Sequence, residues 1–253
     1  MSAAWSDFLD ELSRWRDAGR TVEFWWRDDD ACRPSVALAR LVALADAVQL
    51  PLALAVIPTG VQPEVLEPAS VWVTLLQHGV DHRNRACAGE KKTEFALAEP
   101  VSYAIARLAG GRARLAGART LSVLVPPWNR ISSPALIGAL AAAGYCGLSR
   151  FGPRDAARSI AGLVQVNTHV DVIDWRGSRG FVGVELALAL ATRHLQARRL
   201  GLADAGEATG WLTHHQVHDA PCWDFLAQLF ERTSCLQGVH WRSADTLFVP
   251  PEA

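Results

Sequence analysis

Short continuous apolar runs alternate with helix-like segments along the whole chain, and this alternation restricts the fold more than any other feature. Leu52–Ile57, Val71–Leu76, Thr120–Val125, Val164–Val170 and Gly210–His214 read as buried strands, with shorter extended pieces at Val22–Trp26, Cys146–Ser149 and Val239–Trp241. Between them, residues 3–18, 34–46, a stretch from about Pro100, 134–143, 182–195 and 222–231 carry helical patterns. Proline in the first turn of several of these segments and Gly19 after the first agree with that reading. Strands that are apolar throughout, separated by helices, belong to a parallel sheet covered on both faces. About seven such units in 253 residues fit a distorted (β/α) barrel formed by one domain over 1–253, with 1–19 as an N-terminal helix.

The polar residues fall where such a barrel would use them. The strands ending near 27, 76, 125, 170 and 213 are followed at once by aspartate, histidine or a Pro-Trp-Asn-Arg turn. In a parallel barrel the carboxyl ends of the strands converge on one rim, and active sites sit there.

His78-Gly-Val-Asp-His82 sets two imidazoles four residues apart, which on a helical turn or tight loop points both rings the same way and suits one metal ion. A histidine pair at this spacing also arises without function. Asp28-Asp29-Asp30 adds an anionic ligand, because three adjacent carboxylates repel unless a cation or an arginine neutralises them. Taken alone, the triplet reads as an exposed acidic turn before Pro34.

Taken in order, Arg27-Asp-Asp-Asp-Ala31, His78-Gly-Val-Asp-His82, Val125-Pro-Pro-Trp-Asn-Arg130, Asp171-Val-Ile-Asp-Trp175 and Leu212-Thr-His-His215 resemble the five motifs of the polysaccharide deacetylases. The resemblance runs from residue 27 to 215 and implies a metal-dependent hydrolase, acting on carbon–nitrogen bonds other than peptide bonds, that removes acetyl groups from N-acetylated sugars. It implies one divalent metal ion, zinc being the expected one, on Asp30, His78 and His82. It also implies Asp29 as general base and His214 as general acid, Asp174 as the carboxylate that helps orient the site, and the Trp128 amide as an oxyanion donor. A register one residue earlier, with Asp28 as base and Asp29 as ligand, stays open; in the register adopted, Asp28 should tolerate asparagine. The family has arginine directly before the two prolines, where this chain has Val125, and Arg130 is the candidate to send a guanidinium back to that place.

Ten tryptophans against two tyrosines is unusual, and Trp25, Trp26, Trp128, Trp175 and Trp211 all lie within three residues of a motif. Flat faces of this kind stack on sugar rings, so Trp26, Trp128, Trp175 and Trp211 are the expected substrate-binding residues, at least two of the motif tryptophans being core packing instead. His169, His194 and His240 read as structural or surface residues, and His215 and His218 as including one spectator.

With 25 basic and 26 acidic side chains there is no electrostatic case for nucleic acid. No run is long enough for a membrane span, the amphipathic acidic start lacks the marks of a signal peptide, and five cysteines form no CxxC pair. A cytoplasmic enzyme follows as the expectation, with a nucleotide sugar, a lipid-linked intermediate or a small amide as substrate. Two other functions fit the same residues: an allantoinase-like hydrolase of a non-sugar amide, and a catalytically impaired carbohydrate-binding protein, the latter motivated by Val125.

Overall fold

Nine parallel strands form one sheet in this computed structural model, which describes residues 2–117, 119–157 and 160–248. They are β1 (Val22–Ala31), β2 (Leu52–Val56), β3 (Val73–His78), β4 (Thr120–Val125), β5 (Gly147–Leu148), β6 (Val164–Gln165), β7 (Val170–Asp171), β8 (Thr209–Thr213) and β9 (Val239–Trp241). The order across the sheet is β6-β5-β4-β3-β2-β1-β8-β7, with β9 added beside the first residues of β1.

The two ends of that order are one stretch of chain. β6 pairs with β5 and β7 with β8. Between them Thr168 N donates to Arg150 O (3.0 Å) and His169 N donates to Gly210 O (2.7 Å). A single segment thus bonds to both neighbours and curls the sheet into a distorted barrel of seven staves, the architecture expected from the number of strand–helix units.

Helices α1 (Ala3–Asp17), α2 (Val36–Val48), α3 (Pro63–Leu66), α4 (Val101–Arg114), α5 (Pro134–Ala139), α6 (Val184–Arg199), α7 (Ala220–Thr233) and α8 (Ala244–Leu247) accompany the strands. Ser35 and Asp219 cap α2 and α7 by accepting from Leu38 N and Cys222 N. The expected N-terminal helix is present. It buries Trp5, Phe8, Leu12 and Trp15, and its buried Glu11 pairs with Arg199 of α6 at 2.7 Å. None of the described helices is long and apolar enough to cross a membrane, and all five cysteines are free.

Alternation along β1 places its side chains on two different faces. Phe24 and Trp26 join the large core between sheet and helices, whereas Trp25 joins Ala53, Ala55, Leu76, Val123 and Val125 in a second cluster on the opposite face. This corrects the role expected for two tryptophans. Trp26 packs on Phe230 of α7 (4.6 Å) and donates to Thr213 Oγ1, and Trp211 lies among Phe8, Phe24 and Phe225. Both are fully buried beneath helices, out of reach of a substrate.

Candidate active site

β1 does not stop at Trp26 but continues through the acidic run to Ala31, and each aspartate finds its own partner. Asp28 (fully buried) accepts from His215 Nδ1 at 2.5 Å, His215 N at 2.9 Å and Thr213 Oγ1 at 2.7 Å. Asp29 takes a bidentate pair from Arg27, Nε to Oδ1 at 2.8 Å and Nη2 to Oδ2 at 3.0 Å. Asp30 Oδ1 sits 3.1 Å from His78 Nε2 and 3.2 Å from His82 Nε2. Three neighbouring carboxylates are tolerated at a strand end because each faces a different cationic or imidazole partner. Regular alternation would turn Asp29 and Asp30 to opposite faces. Asp30 instead has φ +72°, and the register against β2 shifts between Asp28 and Ala31, which brings Asp30 round to His78 and His82.

The two histidines are held as ligands need to be held. His78 closes β3, and its Nδ1 bonds Val125 O at 3.0 Å, which turns Nε2 towards Asp30, where it bonds the carboxylate when protonated and can ligate a metal when it is not. The turn to His82 is a loop, not a helix. The buried carboxylate of Glu94 accepts the amides of Val80 (3.0 Å) and His82 (3.1 Å), and Arg107 steadies it at 3.2 Å. Gly79 has φ +57°, and a Cβ there would run into Glu94 and Pro127. Ligand atoms of Asp30, His78 and His82 all lie within 4.8 Å of one another. Two neutral imidazole nitrogens and a carboxylate oxygen suit zinc or a similar divalent ion with positions left open, so the donor set fits the metal that the motifs imply. Burial works against charge on Asp30, yet its hydrogen bonds to His78 and His82 hold the carboxyl well below its usual range. Burial likewise disfavours protonated His78, but Asp29 and Asp30 raise its pKa.

Around this centre the other motif residues separate into two groups. The Trp128 ring lies 4.5 Å from that of His82, and Trp128 itself has φ +55°, with no backbone acceptor for its amide among the described residues. His214, at the end of β8, has Nδ1 3.9 Å from Asp171 Oδ1, and Trp175 stands edge-on to its ring at 4.7 Å. Trp175 also donates Nε1 to Asp171 Oδ2 at 2.8 Å and is 44% exposed. Burial raises the Asp171 pKa against the pull of His214. Asp174 and Arg130 lie outside the group. The Asp174 carboxylate caps its own turn by accepting from Gly177 N and Ser178 N, and Arg130 is exposed, its Nη1 on Lys92 O. Asp171, three residues earlier than Asp174, is the carboxylate that meets the histidine.

A guanidinium does reach Asp29, and it comes from β1 itself. Arg27, fully buried, completes its contacts with Ser149 Oγ (2.6 Å) and Asn129 Oδ1 (2.6 Å), tying Asp29 to β5 and to the Pro-Pro-Trp loop. Spacing alone carries a signal for it, since residues i and i+2 of a strand share a face. Of the six non-glycine residues with positive φ among the described residues, Asp30, His82, Trp128 and Asn129 belong to this site. Such backbone persists only where its surroundings enforce it, and it collects at functional sites.

The chain is therefore a distorted (β/α) barrel with a carboxylate–imidazole cluster on the rim where its strands end. Neither a family model nor a curated protein matches its sequence. Solved structures do share its fold. One described as a polysaccharide deacetylase from Mycobacterium smegmatis aligns at TM-score 0.64 and 15% identity, over 90% of this chain and 88% of that one. The PuuE allantoinase aligns at 0.59 and 11%, over 89% and 88%. A family 4 carbohydrate esterase from Streptomyces lividans, in complex with acetate, aligns at 0.54 and 14%, over 92% and 98%.

Proposed function

We propose that this chain is a metal-dependent hydrolase that removes the acetyl group from an N-acetylated sugar or sugar conjugate. The observation that carries the reading is the cluster of Asp29, Asp30, His78 and His82 at the strand ends, with His214 just past the end of β8, the strand beside β1. A divalent ion on Asp30, His78 and His82, zinc being the ion this donor set suits, would act as a Lewis acid on the acetyl carbonyl and make water more acidic.

The chain's own groups supply the remaining steps. Asp29, oriented by Arg27, takes a proton from the attacking water. The Trp128 amide donates to the carbonyl oxygen as negative charge develops on it. His214, with Asp171 and Trp175 against its ring, gives a proton to the nitrogen as the C–N bond breaks, so that acetate and a free amine leave. Of the tryptophans near the motifs, Trp128 beside His82 and the exposed Trp175 are the ones we assign to stacking on a sugar face. Arg27 on Asp29 supports an active enzyme, because it removes the motive for a non-catalytic reading, which is the valine at position 125.

Acetate release from a panel of N-acetylated mono- and oligosaccharides, nucleotide sugars among them, tests the proposal, with allantoin included as a cyclic amide. Release from at least one sugar is expected. Asp29→Asn should keep the metal and lose turnover by roughly a hundred- to ten-thousand-fold. A metal-loaded protein that releases no acetate from any sugar overturns the sugar reading, and hydrolysis of allantoin alone would replace it with the second.

A further inference from the structure

Asp28 takes no part in the reaction proposed above, yet its carboxylate grips both chain neighbours of His214. It accepts from Thr213 Oγ1 on one side and from both the backbone N and ring Nδ1 of His215 on the other. Thr213 Oγ1 is in turn the acceptor of Trp26 Nε1 at 2.9 Å. Asp28 also immediately precedes Asp29. One buried carboxylate on β1 therefore links the residue before the proposed base to the residues on both sides of the proposed acid.

The position of this grip matters because the sheet stops there. Asp28 pairs with Thr213 in the parallel register, and Thr213 is the last residue of β8. Beyond it the chain enters a short 3-10 turn, His215–Val217, so His214 lies between the two elements and belongs to neither. Asp28 and His215 are both almost wholly enclosed. A buried charged pair contributes little net stability compared with apolar packing, and its best-attested use is to specify one geometry.

We propose that Asp28 and His215 are a positioning couple that fixes His214 relative to Asp29. The idea rests on the deacetylase reading for its catalytic consequence, but not for its structural one. His215→Leu removes the ring donor, whereas His215→Asn keeps an amide N–H near the place of Nδ1. In metal-loaded protein, His215→Leu is expected to lower kcat by about ten- to a hundredfold, as small misplacements of reacting groups do. KM should stay within about twofold, and metal content should be unchanged. His215→Asn should recover kcat to within about threefold; Asp28→Asn, which the motif register alone would leave without effect, should lose kcat as His215→Leu does and add nothing when combined with it.

The His214 ring nitrogen resonances provide a readout without turnover: His215→Leu should shift them and His215→Asn should not. Unchanged resonances and kcat in His215→Leu overturn the proposal. Equal losses in the leucine and asparagine variants overturn it too, because the ring itself would then be doing chemistry. A wild type that releases no acetate defeats the deacetylase reading alone, and the resonances still decide the positioning role.

Discussion

Replacing Arg27 with methionine keeps most of the side-chain volume and removes the guanidinium. The size of the effect depends on which regime the Arg27–Asp29 pair belongs to. An exposed pair is worth up to about 1 kcal/mol. Here the two side chains are 0% and 2% exposed, so water cannot take over when the arginine is gone. Breaking a buried pair by removing one partner leaves an uncompensated charge and costs about 3–5 kcal/mol. The contacts to Ser149 and Asn129 are lost in the same step and are not added separately, since neighbouring contributions overlap. For a domain of this size the loss corresponds to a melting temperature lower by roughly 6–20 °C. Urea denaturation of wild type, Arg27→Met, Asp29→Asn and the double variant measures it. The double variant should be more stable than the sum of the single losses, because Asp29→Asn removes the stranded charge. A loss below about 1 kcal/mol for Arg27→Met, or strict additivity in the cycle, would mean that Arg27 and Asp29 behave as an exposed, uncoupled pair.

Gly79→Ala should distort the loop between the two histidines, since the added carbon meets Glu94 and Pro127 and the backbone is left-handed; zinc affinity measured by competition with a chromogenic chelator should fall at least tenfold. His169 and His194, both buried with their rings stacked 3.5 Å apart, give a pH prediction. Burial lowers the pKa of both histidines and takes that of His194 to about 2, so His194 stays neutral in the folded protein through mildly acidic pH. Below the unfolded value near 6.5 the unfolded chain binds protons that the folded chain refuses, so their contribution is present above that pH and is lost as pH falls. His194→Gln should therefore flatten the fall in stability between pH 6 and pH 4 by about 1.4 kcal/mol per pH unit in urea melts. An unchanged slope would show that the pair is protonated in the folded protein.

The Asp30, His78 and His82 cluster is legible in the motifs to within one residue, because the two histidines are marked by type and order while the register along Asp28–Asp30 stays open. Their facing is not. Whether Asp29 and Asp30 can serve one site depends on the left-handed backbone at Asp30, which no hydrophobic pattern announces. Arg27 is hidden for a related reason: a strand expected to end at Trp26 makes Arg27 a loop residue, whereas in a continuing strand it shares a face with Asp29. Trp26 and Trp211 show the opposite error. Closeness to a motif in sequence suggests a substrate platform, but alternation turns both towards the helices. Asp171 and Asp174 both fit the fourth motif by type, and only the fold of the 174–178 turn shows which one is occupied elsewhere.

If hydrolysis needs one divalent ion at Asp30, His78 and His82, metal content per chain measured beside acetate release shows it most directly. The wild type should carry one equivalent of metal, lose it and its activity to a chelator, and regain both with zinc. His78→Ala combined with His82→Ala should carry none and release no acetate while keeping a cooperative melt, since the barrel's core does not depend on the ion. A double variant that still binds one equivalent, or a stripped wild type that still releases acetate at the full rate, would contradict the account.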